Sequence, residues 1–166
     1  MWKRWWKLDS EDEARDETEE DEESEAPEPI REAVEGLKPR HARYLSAYAA
    51  VLARIAYADR DVSADESALM KRILQTVDDV SANDAELIVA IAVGGARQLG
   101  EDEGRVAART FGKIATRAQR LGLLRCLFAV AAAHRGVSAD ESEKIAEISR
   151  ELALSSDDLE TCRVPS

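Results

Sequence analysis

The feature that most restricts this chain is a duplication. The six residues Val-Ser-Ala-Asp-Glu-Ser occur at 62–67 and again at 137–142, an offset of 75. Each copy follows a strongly apolar stretch and precedes an amphipathic one. Each amphipathic stretch then runs into a second shared signal, Val80-Ser81-Ala82-Asn83-Asp84 in the first copy and Leu154-Ser155-Ser156-Asp157-Asp158 in the second. A helix–loop–helix unit repeated at this length predicts two related helical hairpins packed as halves of one body. The apolar helices should meet in the middle, with the amphipathic ones covering them.

The rest of the sequence agrees with an all-α fold. Pro is absent between Arg40 and Val164, and Ala, Leu, Arg and Glu dominate, as helices prefer. No stretch alternates apolar and polar residues with β-branched enrichment, so no strands are expected. The first helix should run from about Arg40 to Ala58. Its centre (Leu45, Tyr48, Ala49, Val51, Leu52, Ile55) is apolar on nearly every side, the mark of a helix covered by its neighbours. A second helix follows Ser63, with Leu69, Ile73 and Val77 on one face. A third follows Ser81 and ends near Gly94-Gly95. Gly100 and Gly104 should bracket an acidic turn before a shorter helix around Val106–Ile114. Arg117–Ala133 repeats the all-round apolar character. A helix from about Ala139 to Leu152 has Ile145, Ile148 and Leu152 on one face, and a last short one follows Ser155. The expectation is a compact bundle of about seven helices.

The repeated hexapeptide is chemically a helix start. Ser63 can accept from the amide of Glu66, and Glu66 can reach back to the amide of Ser63; Ser138 and Glu141 are placed to do the same. This is a capping box, and losing such a cap costs on the order of 1 kcal/mol. Asp65 and Asp140 favour the positive end of the helix dipole.

The first copy also carries more acid than a cap needs. Asp59, Asp61, Asp65 and Glu66 fall within eight positions, and clustered loop carboxylates can hold a hard cation. The spacing is not that of an EF-hand. Counting from Asp59, the turn glycine position is Ala64 and the closing glutamate position is Met70. In the second copy His134 and Gly136 replace Asp59 and Asp61, leaving Asp140 and Glu141 as candidate ligands.

An apolar helix ending in Ala-Asp, a short loop, and Val-Ser with a glutamate opening the next helix, all present twice, resembles the TerB (tellurite-resistance) family. The stretches that carry the resemblance are LARIAYADRDVSADES (52–67), LRCLFAVAAAHRGVSADES (124–142) and LALSSDDL (152–159). It implies an all-α fold of about seven helices over residues 40–162. It further implies a non-enzymatic module in tellurite resistance and related stress responses. Acidic loops that take a divalent cation such as calcium, and neighbours that include membrane proteins, also belong to the family. The family's Ala-Asp-Gly loop maps to Ala58, Asp59 and Arg60, and to Ala133, His134 and Arg135. The glycine is missing from both copies and the aspartate from the second.

The charge divides the chain into three parts. Residues 1–8, MWKRWWKL, carry +3; residues 9–29 hold thirteen acids against Arg15 alone, for −12; the remainder carries −2 of the total −11. Dense like charge with few apolar side chains cannot offset the entropy of ordering, so residues 9–36 are expected to be a disordered acidic linker. The domain should occupy 37–166. Trp2, Trp5 and Trp6 are all of the tryptophan, beside Lys3, Arg4 and Lys7. Indole and cation together suit a lipid interface, and as a helix they would share a face. The segment is read as an anchor for a membrane or a partner protein, as a piece that folds back on its own domain, or as a disordered end held by the acidic run next to it.

Several classes are disfavoured. The nearly neutral domain has no basic face for nucleic acid. The longest uncharged runs fall far short of the ~20 apolar residues of a membrane span, and the basic start lacks the apolar core of a secretory signal. Cys126 and Cys162 form no Cys-x-x-Cys, which suits a reducing cytoplasm, at the inner face of the inner membrane if a membrane partner is involved. Cys126 is expected in the core and Cys162 as a free thiol near a frayed end. His41 and His134 lack zinc spacing. His41 is read as a surface residue at a helix start, and His134 as a cation at a helix C-terminus. No phosphate-binding glycine loop and no nucleophile–base pattern occurs, so no enzyme activity and no organic cofactor are expected.

Overall fold

Each helix start predicted by a serine hinge reappears one residue downstream as the first residue of a helix. The computed structural model describes residues 28–56, 64–95, 100–135 and 137–163. It contains eight described helices in the order α1 Glu28–Glu35, α2 Pro39–Ala56, α3 Ala64–Val77, α4 Ala82–Gly95, α5 Glu101–Ile114, α6 Arg117–Arg135, α7 Ala139–Glu151 and α8 Ser156–Arg163. Every regular element among the described residues is an α-helix. None is long and apolar enough to cross a membrane.

The two apolar helices form the centre. In α2 the run from Ala47 to Leu52 is fully buried; in α6 Leu123, Leu124, Cys126 and Leu127 are fully buried. α2 and α6 touch directly, and α4 and α5 cover α2 on other sides. Burying each large aliphatic side chain contributes roughly 1.5–3 kcal/mol, so this seam is the main source of stability. The amphipathic helices cross between copies. α3, from the first copy, packs on α6 of the second as well as on α4; α7, from the second, packs on α5, α6 and α2.

One buried ion pair ties the copies together. Arg54 Nη1 on α2 donates to Glu151 Oε1 on α7 at 2.7 Å and to the Gly104 carbonyl at 3.3 Å. The two side chains are only 5% and 9% exposed. The Arg54 guanidinium lies against Gly104, where a Cβ would come within 2.8 Å of its Nε.

Four expectations are corrected. The last stretch of the acidic linker is helical. α1 covers Glu28–Glu35 and packs on α4 and α2, because Val34 supplies an apolar contact that is fully buried. On α3 the core stripe is Met70, Ile73 and Leu74; Leu69, one position off it, is 40% exposed. Gly104 is not in a turn. It lies inside α5, and its missing side chain admits Arg54. Cys162 is a free thiol as expected, but it is buried on α8, with Sγ 3.7 Å from the Leu121 carbonyl, not at a frayed end. Cys126 is in the core as expected.

Candidate functional site: an acidic cleft in the first copy

The residues singled out by sequence are distributed unequally. Trp2, Lys3, Arg4, Trp5, Trp6 and Lys7 lie outside the described residues, as do Asp59, Asp61 and Ser63. Asp65 is exposed and Glu66 half-buried on the first turn of α3. The second hinge is a complete capping box. Ser138 Oγ accepts from the Glu141 amide at 3.1 Å, and Glu141 Oε1 accepts from the Ser138 amide at 3.1 Å. Asp140 is exposed beside it. Among the described residues no three His, Cys, Asp or Glu side chains are grouped to hold a metal ion.

The structure instead brings together acids that the sequence reading passed over. α3 ends at Asp78-Asp79, where Asp79 turns the chain in the left-handed region (φ 58°) and the Val80 amide returns to the Leu74 carbonyl at 3.2 Å. Ser81 then accepts from the Asp84 amide at 3.1 Å to start α4. The start of α2 faces this corner. Between them is a cleft of about 610 Å³ lined by Asp78, Asp79 and Asp84, by the rings of His41 and Tyr44, and by Lys38 and Arg40.

Its deep wall is a polar chain set in the core. The fully buried Tyr48 donates to Asp78 Oδ2 at 2.8 Å, and its hydroxyl is 3.4 Å from Cys126 Sγ. The Asp78 carboxylate rests on Gly122 of α6, at a place a Cβ would overlap. Burial pushes the Asp78 carboxyl up to about 6, against the Tyr48 hydrogen bond and the Arg125 charge. Burial likewise pushes the Cys126 thiol up to about 12 and both tyrosines well above their usual range. Tyr44 forms the aromatic side: it stacks on His41 with ring centroids 6.1 Å apart and packs on Phe111 at 5.2 Å.

The second copy presents a similar corner, bonded by arginine. Ala153 supplies the left-handed turn (φ 63°), and Ser155 accepts from the Asp158 amide at 3.1 Å. Arg117 grips Asp158 with two bonds, at 2.8 and 3.0 Å, and Arg120 donates to the Leu152 and Ala153 carbonyls at 3.0 and 3.3 Å. The Arg117 contact holds the Asp158 carboxyl well below the usual range. In the first copy His41 Nε2 is 3.2 Å from Asp84 Oδ1, while the positions 75 residues before Arg117 and Arg120 are Ala42 and Leu45, both buried. No described cation bonds Asp78 or Asp79. The signal available in the sequence was the second half of the repeat, VSAND against LSSDD; read as a helix start alone, it hid the acids preceding it.

The fold defines a class: a duplicated helical bundle in which each of two central apolar helices is followed by an amphipathic covering helix. The chain belongs to the TerB family, since the family described as "Tellurite resistance protein TerB" matches residues 45–164. No curated protein and no solved structure gave a match.

Proposed function

We propose that this chain is a non-enzymatic TerB-type binding module of the tellurite-resistance and stress-response kind, whose acidic cleft holds a cationic side chain of a protein partner. One observation carries the reading: the first copy leaves open, with three carboxylates around it, the corner that two arginines fill in the second. Carboxylate recognition of guanidinium is bidentate and strong where partly desolvated. A half-buried Asp78 that no described cation bonds would gain from one. The elevated thiol and phenol groups support binding over catalysis, because Cys126, Tyr44 and Tyr48 stay protonated near neutral pH. A partner at the inner membrane, with the module on its cytoplasmic side, is part of this proposal. Titration of the chain with hexaarginine, followed by calorimetry, tests it. Binding that weakens at least tenfold in an Asp79→Asn, Asp84→Asn double variant is expected; equal binding by both proteins rejects it.

A second reading keeps the divalent cation. Asp59, Asp61, Asp65 and Glu66 would hold calcium at the first hinge, with Asp140 and Glu141 a poorer counterpart because Glu141 already serves the cap. It is favoured by the family membership and by the exposure of Asp65. Heat on calcium addition that disappears in Asp59→Ala supports it; no heat at millimolar calcium, magnesium or zinc leaves the first reading alone.

A further inference from the structure

We propose that the acidic cleft is gated by a proton: the Asp78 carboxyl, pinned from inside by Tyr48 and Gly122, takes either a proton or a partner's guanidinium, so the cleft fills at neutral pH and empties on mild acidification. This rests on the cleft reading above and names the regulation of that site. The geometry sets Asp78 apart from the other two carboxylates. Asp79 is exposed on its turn, and Asp84 is half-buried with His41 against it at 3.2 Å. Asp78 is held by the core. Its Oδ2 accepts from the fully buried Tyr48 at 2.8 Å, and a Cβ on Gly122 of α6 would overlap its Oδ1. A carboxyl set against an apolar wall favours its neutral form. One hydrogen bond from Tyr48 and the charge of Arg125 do not offset this, and the group titrates at about 6.

The groups around Asp78 either keep their charge or act in the same direction. α6 brings Arg125 and the Cys126 thiol, which burial keeps protonated. α2 brings Tyr44 and Tyr48, kept protonated in the same way. Lys38 and Arg40 are exposed on the lining, and Asp79 and Asp84 supply the remaining negative charge. His41 is the second group that takes up a proton on acidification. A proton there tightens its pair with Asp84 and adds positive charge to the cleft, so it too disfavours a bound cation. A guanidinium seated on the Asp78 carboxylate stabilises the charged form and returns it toward the usual carboxylate value of about 4. With the free group at about 6, moving from pH 7 to pH 5 then weakens the cation about tenfold through Asp78 alone.

Hexaarginine and the full chain test this in two measurements. NMR of the Asp78 carboxyl carbon against pH should give a midpoint near 6 in the free chain. Saturating hexaarginine should pull that midpoint down toward the usual carboxylate range. Tyr48→Phe, which removes a donor to the charged form, should push it up, with helical circular dichroism unchanged. By calorimetry, the wild type should lose about tenfold more affinity for hexaarginine than Asp78→Asn between pH 7 and pH 5, and the loss should persist in His41→Gln. A midpoint that lies in the usual range, or that hexaarginine does not move, overturns the proposal. So does an equal loss of affinity in Asp78→Asn. If hexaarginine binds in an Asp79- and Asp84-dependent way while the Asp78 midpoint stays in place, the gate falls and the cleft reading stands; if no such binding occurs, both fall.

Discussion

Gly122→Ala sets helix propensity against packing at one atom. Replacing an interior helix glycine by alanine gains about 0.5–1 kcal/mol when the space is free. Here the new methyl group falls where the Asp78 carboxylate lies. To admit it the carboxylate must rotate away, and the Tyr48 hydroxyl loses its 2.8 Å acceptor. A hydrogen bond to a charged group contributes about 1.5–3 kcal/mol, and the buried Tyr48 has no water to replace it. Because Asp78 is only half-buried, the lower part of that range applies. The expected balance is a net loss of about 1 kcal/mol, or roughly 4 °C in Tm for a domain of this size. Urea and thermal unfolding followed by circular dichroism measure it. In an Asp78→Ala background the obstruction is gone, and the same substitution should stabilise by up to about 1 kcal/mol. That reversal of sign, read as a double-mutant cycle, is the signature of the contact. If Gly122→Ala stabilises both backgrounds alike, the carboxylate does not rest on Gly122 and the account of the cleft's deep wall is wrong.

Two further outcomes follow from the same structure. The Asp78 carboxyl, at about 6, is raised above its unfolded value, so the folded chain holds a proton the unfolded chain has lost. Its contribution favours folding below the usual carboxylate range and fades as pH rises to about 6, opposite in sign to that of the lowered Asp158. Wild-type stability relative to Asp78→Asn should therefore fall between about pH 4 and pH 6 and be level above about pH 7; equal pH slopes in the two proteins would refute this. Glu151→Ala strands Arg54 in the core and should destabilise by about 3 kcal/mol. Lys144→Ala, which breaks the exposed pair to Glu101, should cost less than about 1 kcal/mol. Similar urea midpoints for these two variants would show that the Arg54 pair is not desolvated.

The helices were legible because each carries its own start signal and period. Ser138 and Glu141 form the capping box that their spacing predicts, and Ile145, Ile148 and Leu152 are buried as their one-face pattern requires. Errors arose where a tertiary neighbour decides. Gly104 looks like a breaker in sequence, but α2 delivers Arg54 into the space it leaves. Residues 28–35 follow directly on the acidic run, yet they form a helix that packs on two others with Val34 fully buried. The cleft was invisible for the same reason. Its acids are at the end of α3 and the start of α4, its rings are on α2, and Gly122 beneath Asp78 belongs to α6. No sequence window holds more than part of it.

Duplication relates this cleft to the equivalent corner of the second copy. Two copies of one hairpin begin with the same unsatisfied corner, where a helix ends in a left-handed turn and a serine starts the next. A corner of that kind exposes turn carbonyls and a hinge carboxylate, and either the chain or a ligand must supply the complementary cation. The second copy supplies it internally, through Arg117 and Arg120. In the first copy the positions 75 residues before those arginines are Ala42 and Leu45, and two further carboxylates, Asp78 and Asp79, line the cleft at this corner. Stability alone would favour closing both corners. The binding proposed for this bundle accordingly falls on its first half, where Tyr48 and Gly122 hold Asp78 half-buried.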